Sequence, residues 1–120
     1  MIKSINDLEV YKESLNLLEL LYSVFQKIPK SEYDVSHNCK RAAKSIPSNL
    51  TEGFAKRSSG PTFKNHLKIC IGSSDEVVAH LQTLSITVPY LKPKFKDLSE
   101  SYIVLSKRLN SLYKNWKYNN

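Results

Sequence analysis

Glycine, cysteine and long apolar runs are scarce in this 120-residue chain, and each shortage excludes a class of protein. The three glycines, Gly53, Gly60 and Gly72, lie too far apart to form a loop that cradles phosphate groups. The two cysteines, Cys39 and Cys70, fit neither a disulfide framework nor a clustered zinc site, and we expect both to be buried. No segment approaches about 18 consecutive apolar residues, which excludes an ordinary membrane span.

The N-terminal segment also lacks the features of a secretory signal. The sequence MIKSINDLEVYKES has no uninterrupted apolar region and no small-residue cleavage site. We therefore expect a cytoplasmic protein with no membrane partner. A hydrophobic content of 41% is enough for one core, so residues 1–120 are predicted to form a single domain.

Acidic residues are nearly absent from the middle of the chain. Residues 35–70 carry seven basic side chains and one acidic side chain, Glu52, which gives this segment a net charge of +6. The C-terminal segment, residues 92–120, is also basic, and the whole chain has a net charge of +7. Because a basic surface concentrates polyanions by long-range attraction, this distribution predicts a nucleic acid or an acidic protein as partner.

The spacing of apolar residues predicts four helices and no strand. The expected helices cover about 7–28, 32–57, 62–88 and 97–117, and a kink or a break is expected near Pro47 in the second. Capping boxes are predicted at the starts of the first and fourth helices, formed by Asn6 with Glu9 and by Asp97 with Glu100. Short connectors then favour an all-α, up-down-up-down antiparallel four-helix bundle.

Two of these helices have notable apolar rows. The third has a regular seam of Phe63, Leu67, Cys70, Ser74, Val77, Leu81, Leu84 and Val88. The first has a predicted seam of Leu8, Tyr11, Leu15, Leu18, Tyr22 and Phe25, beside a second row of Leu17, Leu21, Val24 and Ile28. One neighbour cannot cover both rows, so the first helix is expected to be enclosed by several neighbours.

The predicted hairpin of the second and third helices turns near Gly60. The position of this turn predicts which basic residues face an acidic residue across the hairpin. Residues equally distant from Gly60 should face one another, so Glu52 is expected to pair with Lys68 and Lys44 with Glu76. Cations left without an obvious acidic partner are candidates for phosphate contacts: Lys40, Arg41, Lys56, Arg57 and Lys64. A second candidate patch consists of Lys107, Arg108, Lys114 and Lys117.

Two interpretations of these cations remain open. They bind phosphates with counterion release, which gives salt-dependent and largely sequence-independent affinity, or they only form a solvated face that keeps the protein soluble. No motif for base-specific readout accompanies them.

No constellation for catalysis or metal binding stands out. Neither a G-x-S-x-G elbow nor an H-E-x-x-H pair is present, and a site made of His37, His80 and Glu76 would require all three to converge. His66 lies among lysines with no specific role. We expect no catalytic residue, no metal and no cofactor, and interpret Gly53 and Gly72 as positions where helices approach closely.

Several segments together resemble one known family. The run from Ser45 to Gly53, reading SIPSNLTEG, is followed by Gly72-Ser73 and Glu76, and the first predicted helix opens with DLEVYK. This pattern resembles the bacterial four-helix bundle proteins of the 23S rRNA intervening-sequence protein family over essentially the whole chain. By this resemblance the motif serves packing and assembly, through Ser45, Ile46, Asn49, Glu52, Gly53, Gly72, Ser73 and Glu76.

The resemblance implies an antiparallel bundle that assembles into a ring-like homopentamer. A related protein of diversity-generating retroelements partners a reverse transcriptase and nucleic acid. Together with the charge, this predicts a non-enzymatic oligomer that binds nucleic acid, preferably RNA, without sequence specificity. The alternative is a protein-interaction scaffold that docks an acidic partner such as a reverse transcriptase.

Overall fold

The computed structural model describes residues 2–117, which form four α-helices and no strand. The helices are α1 (Glu9–Phe25), α2 (Tyr33–Ala55), α3 (Gly60–Thr87) and α4 (Lys92–Asn115). Short 3₁₀ turns at Ile5–Asp7, Lys30–Glu32 and Pro89–Leu91 precede α1, α2 and α4. The all-α prediction is confirmed; residue 1 and residues 118–120 of the predicted domain lie outside the described residues.

The four helices form an elongated antiparallel bundle. Both α2 and α4 pack along α3, and α1 lies more sparsely against α2 and α4. Helices α2 and α3 are antiparallel, because Cys39 of α2 bonds to Val77 of α3 while Asn49, later in α2, bonds to His66, earlier in α3. The bundle measures 51 × 21 × 19 Å, so its two ends are well separated.

The core follows the predicted seam of α3. All eight of its residues, from Phe63 to Val88, are buried. The polar member, Ser74, donates a hydrogen bond from Oγ to the Tyr102 carbonyl oxygen at 2.9 Å, which satisfies its hydroxyl inside the core. Cys39 and Cys70 are buried as predicted.

The predicted seam of α1 is wrong in detail. Leu15 is exposed, and Tyr11, Leu18 and Tyr22 are only half-buried. The buried side of α1 consists instead of Val10, Ser14, Leu17, Leu21 and Phe25. Because α1 packs mainly against α2 and α4, the bundle buries residues from both apolar rows and leaves Tyr11, Leu18, Tyr22 and Val24 half-buried at its edge.

Two helix starts also differ from the prediction. Helix α4 begins at Lys92 rather than near Asp97, because Pro93 fits a first helical turn, where its missing N–H costs nothing. Before α1, the carboxylate that accepts backbone N–H groups belongs to Asp7, which bonds to Lys3 and Ser4 at 2.8 and 3.0 Å. These two hydrogen bonds hold the pKa of Asp7 below its ordinary value.

Helix α2 continues through Pro47 as a single helix, so the chain does not break and restart there. The proline removes the N–H that would bond to the Ala43 carbonyl, one turn earlier. Its own carbonyl accepts a hydrogen bond from Thr51 Oγ1 at 2.9 Å. The side chain of Pro47 is buried, so packing offsets part of the lost backbone bonding.

Candidate nucleic-acid interface

An aromatic cluster fixes the last turn of α4 against the turn between α2 and α3. The ring of Trp116 lies edge-on to Phe63, with centroids 4.7 Å apart, and 6.5 Å from the ring of Phe54. At the start of α3, Ser59 accepts a hydrogen bond from the Thr62 backbone N–H, which caps the helix. Three helix termini therefore meet at one end of the bundle.

Basic side chains gather around this cluster. The Nζ atoms of Lys64 and Lys68 lie 5.4 and 5.5 Å from the centroid of the Tyr113 ring. The Arg57 guanidinium lies 4.1 Å from the Phe54 ring centroid and donates to the Phe54 carbonyl at 3.0 Å. Aromatic contacts of this kind hold the aliphatic stems of basic side chains while their charged ends stay near water.

We call this surface the basic end and define it by Lys56, Arg57, Lys64, Lys68, Lys114 and Lys117. Its only ion pair among residues 2–117 joins Lys56 to Glu52 at 3.7 Å, with both side chains 57% exposed. Exposed pairs contribute only about 0–1 kcal/mol and leave their charges accessible. Within the same range, Arg57, Lys64 and Lys68 have no carboxylate within 4.0 Å. The basic end therefore keeps a strong positive charge.

Both predicted ion pairs across the hairpin are wrong. Glu52 contacts Lys56 rather than Lys68, and Glu76 contacts His80 rather than Lys44. The cause is the position of the turn, because the contact between Ile46 and Cys70 is symmetric about residue 58 rather than residue 60. Lys68, which was expected from the sequence to pair with Glu52, therefore lies in the basic end without that ion pair.

The other predicted cations lie elsewhere. Lys40 and Arg41 are about 24 Å from Lys56 along α2, from a rise of about 1.5 Å per residue, so the predicted basic stretch divides into two surfaces. The Nζ atom of Lys40 lies 4.9 Å from the Tyr22 ring centroid, and Arg41 contacts Asn38.

The second predicted patch also divides. Lys114 and Lys117 belong to the basic end, whereas Lys107 and Arg108 lie roughly 10 Å away on α4, from the same helical rise. Arg108 Nη1 lies 2.9 Å from Glu13 Oε2. Arg108 therefore joins α4 to α1, and its charge is paired.

The family-like motif forms a polar network between α2 and α3. The Ser45 and Ser73 hydroxyls are 3.0 Å apart, and Asn49 Nδ2 donates to both the hydroxyl and the carbonyl of Ser45 at 3.0 Å. The remaining amide oxygen of Asn49 lies 3.0 Å from His66 Nδ1, which must therefore be the donor. His66, given no specific role from the sequence, completes the network.

The two helical glycines differ in role. A Cβ atom on Gly53 would lie 2.6 Å from the His66 Cβ, so the absence of a side chain permits the approach of α2 to α3. The same prediction is wrong for Gly72, which is exposed and has no neighbour within 4 Å of a Cβ atom. Ile46, beside this network, is fully buried, as expected for a packing residue.

No metal-binding group emerges among residues 2–117, where no three histidine, cysteine or acidic side chains converge. Glu76 bonds to His80 at 3.2 Å without a third ligand. Burial raises the pKa of the Cys39 and Cys70 thiols to about 12, so both are protonated and poorly nucleophilic at neutral pH. In the described part of the chain, no helix is long and apolar enough to cross a membrane.

The bundle defines a class of protein, a basic all-α four-helix bundle with a cluster of cations at one end. The family model described as 23S rRNA-intervening sequence protein matches residues 6–111. The chain belongs to this family, and the resemblance predicted from the sequence is confirmed. No curated protein matches the chain.

Proposed function

We propose that the protein is a non-enzymatic, self-associating module of the cytoplasm that binds nucleic acid, preferably RNA, through phosphate contacts at the basic end. The observation that carries this proposal is the concentration of six cations at one end of the bundle, from the α2–α3 turn, α3 and the end of α4. Among residues 2–117, the one carboxylate that pairs with any of them, Glu52, is exposed. The family description names an intervening sequence of 23S rRNA, which makes RNA the first ligand to test.

The mechanism is electrostatic. Lys64 and Lys68 are one helical turn apart, about 6 Å along α3, and Arg57 adds a planar donor group at the same end of the bundle. Each phosphate that these side chains neutralise releases condensed counterions from the nucleic acid. Contacts of this kind position a polyanion without reading its bases, so the expected binding is independent of sequence.

A salt titration with matched charge variants tests this mechanism. For the native protein we expect log K to fall against log salt with a slope of about −3 or steeper, as for four or more phosphate contacts. The variant Arg57→Glu/Lys64→Glu/Lys68→Glu should lose about two units or more of that slope and at least tenfold in affinity for a generic RNA. Binding is measured by fluorescence anisotropy.

The matched control is Lys27→Glu/Lys30→Glu/Lys92→Glu, which makes the same change in net charge at the opposite end of the bundle. It should keep most of the affinity and most of the salt slope. Equal losses in the two variants would show that only net charge matters and would contradict a site at the basic end. Absence of RNA and DNA binding at low salt would overturn the proposal and favour the scaffold that docks an acidic protein.

The proposal includes assembly into a ring-like homopentamer, as the family resemblance implies. Exposed apolar side chains on α1 and α4 support self-association: Leu15 and Leu20 of α1 are 41% and 55% exposed, and Val104 of α4 is 45% exposed. A ring would repeat the basic end and multiply weak phosphate contacts into tight binding. Lys40, Arg41 and Lys107 would then extend the cationic surface beyond a single end. Native mass spectrometry that finds only monomer at micromolar concentration would contradict the assembly.

A further inference from the structure

The side chains of two lysines on α3 converge on one aromatic ring of α4. Lys64 and Lys68 lie one turn apart on α3, and their Nζ atoms are 5.4 and 5.5 Å from the centroid of the Tyr113 ring. Tyr113 is half-buried, and its side chain packs against the core of the bundle. One anchored aromatic side chain therefore holds two ammonium groups at the surface of the basic end.

Ion pairing does not explain this arrangement. Among residues 2–117, neither Lys64 nor Lys68 has a carboxylate oxygen within 4.0 Å. The first acidic residue after them on α3 is Asp75, whose carboxylate accepts a hydrogen bond from α4 at 2.9 Å. Helix α4 has no acidic residue after Glu100, which precedes Tyr113 by roughly 20 Å along the helix axis. Two like charges therefore lie near one another beside a neutral ring.

The tyrosine ring offsets part of the repulsion between these charges. The face of an aromatic ring carries a partial negative charge, which attracts an ammonium group that lies within about 6 Å of the ring centroid. Both lysines meet this distance. The attraction restricts two flexible side chains to positions where their positive potentials add. The two charges are therefore gathered before any ligand arrives.

Contact with the ring leaves the ammonium groups able to bind an anion. An ammonium group has three N–H donors, so a ring on one side leaves donors on the other side open to solvent. Lys68 is exposed, and Lys64 is half-buried. A phosphate oxygen that approaches from solvent meets donors whose side chains are already ordered. Binding then costs less side-chain entropy than it would for two freely moving lysines.

We infer that Tyr113 is a positioning residue of the basic end, whose ring holds Lys64 and Lys68 for the phosphate backbone of a nucleic acid and does not stack on a base. This inference rests on the proposed function and adds a neutral residue to its cations. A ring that stacks on bases favours single strands, where the bases are unpaired. Because the Tyr113 ring faces the protein's own cations, the site takes single strands and duplexes alike, through the phosphates that both present.

A second cation of the basic end has the same kind of support. The Arg57 guanidinium lies 4.1 Å from the centroid of the Phe54 ring. Phe54 is only 5% exposed and contacts the rings of Phe63 and Trp116, so its removal would damage the core as well as the support. Tyr113 is half-buried and therefore allows the role of the ring to be separated from the stability of the fold.

Substitutions of Tyr113 that leave the net charge unchanged test this role. Fluorescence anisotropy compares the native protein, Tyr113→Leu and Tyr113→Phe on a single-stranded RNA and on an RNA duplex of the same length. Tyr113→Leu removes the ring and keeps an apolar side chain, so it should weaken binding to both RNAs about fivefold or more at fixed salt. Its salt slope should change by less than about one unit, because both lysines remain. Tyr113→Phe keeps the ring and should bind within about twofold of the native protein.

The matched control is Tyr33→Leu, the same substitution at an exposed tyrosine near the opposite end of the bundle, which should leave the affinity unchanged. A second readout needs no RNA. In NMR spectra, the ε-methylene groups of Lys64 and Lys68 should show upfield ring-current shifts in the native protein and in Tyr113→Phe but not in Tyr113→Leu. Circular dichroism verifies that each variant is folded, and the native spectrum keeps the geometry testable if Tyr113→Leu does not fold.

If the native protein binds neither RNA, the proposed function and this inference are both overturned. If it binds and the folded Tyr113→Leu variant keeps the native affinity, or if the native spectrum lacks the ring-current shifts, this inference alone is overturned. A loss confined to the single strand would assign Tyr113 to base stacking and overturn the inference as well. An equal loss in Tyr113→Phe would show that the hydroxyl group rather than the ring carries the effect, with the same consequence.

Discussion

At the scale of single residues, the contact between α2 and α3 depends on one missing side chain. Gly53 leaves space for His66, which in turn completes the hydrogen bonds of Asn49 and Ser45. The sequence shows two glycines inside helices but not which one faces a neighbour. That distinction depends on the register of the hairpin. The prediction placed the turn at Gly60, about two residues from the observed centre of the hairpin.

Alanine substitutions at the two glycines separate these roles. Neither glycine has a positive φ angle, so alanine is compatible with the backbone at both positions. Gly53→Ala should destabilise the protein by about 1–3 kcal/mol, because its Cβ would overlap the His66 Cβ. Gly72→Ala, where nothing lies within 4 Å, should stabilise it by about 0.5–1 kcal/mol through helix propensity.

Urea denaturation of the two variants and the native protein measures both changes in the free energy of unfolding. A stabilising Gly53→Ala would show that α2 and α3 are not in close contact there. A destabilising Gly72→Ala would place an unseen neighbour against that face of α3.

At the scale of helices, α3 and α1 show when the spacing of apolar residues is sufficient to predict which face of a helix is buried. The predicted seam of α3 is confirmed because both α2 and α4 pack along this helix and bury that face, although Ile69 and Ile86 outside the seam are exposed. In α1 the apolar residues form two rows, and the sequence does not show which row is buried. Tertiary packing decides this, because α1 packs only sparsely against the other helices. The start of α4 was missed because Pro93 suits a helix start as well as a connector.

The sparse packing of α1 predicts its dynamics. Amide hydrogens in α1 should exchange with deuterium about tenfold or more faster than those in α3 in a dilute sample, because fewer buried contacts oppose local opening. Hydrogen-exchange mass spectrometry measures both helices in one experiment. Raising the protein concentration should slow exchange in α1 selectively if neighbouring copies cover it. Uniform exchange across α1 and α3 would contradict the loose attachment of α1.

At the scale of the whole molecule, the fold was predictable and the charged surfaces were only partly so. Four helices and an all-α bundle follow from periodicity and turn residues alone. The basic end required the structure, because it combines Arg57, Lys64 and Lys117 from separate elements. Cations that are neighbours in sequence, such as Lys40 and Lys56 on one helix, are separated by its length.

The buried thiols make global stability sensitive to alkaline pH. Burial raises the pKa of Cys39 and Cys70 from 9.0 to about 12, so the folded state binds protons that the unfolded state releases. This stabilisation is complete below pH 9 and is lost as the pH rises from 9 towards 12, by up to about 1.4 kcal/mol per pH unit for each thiol.

The variant Cys39→Ala/Cys70→Ala tests this dependence. Alanine leaves small cavities, so we expect lower stability at pH 8 but a shallower decline between pH 9 and 11 than in the native chain. Chemical denaturation under reducing conditions at each pH gives both slopes. Parallel slopes would show that the thiols do not contribute to the alkaline loss.

The aromatic cluster at the basic end also gives the protein a built-in optical reporter. The chain has a single tryptophan, Trp116, and its indole ring lies against Phe63 beside the cations of that end. Intrinsic emission excited at the indole therefore comes from this site alone, without a label. A bound polyanion that alters the surroundings of the ring will shift or quench that emission, whereas events at the far end, tens of ångströms away, will leave it unchanged.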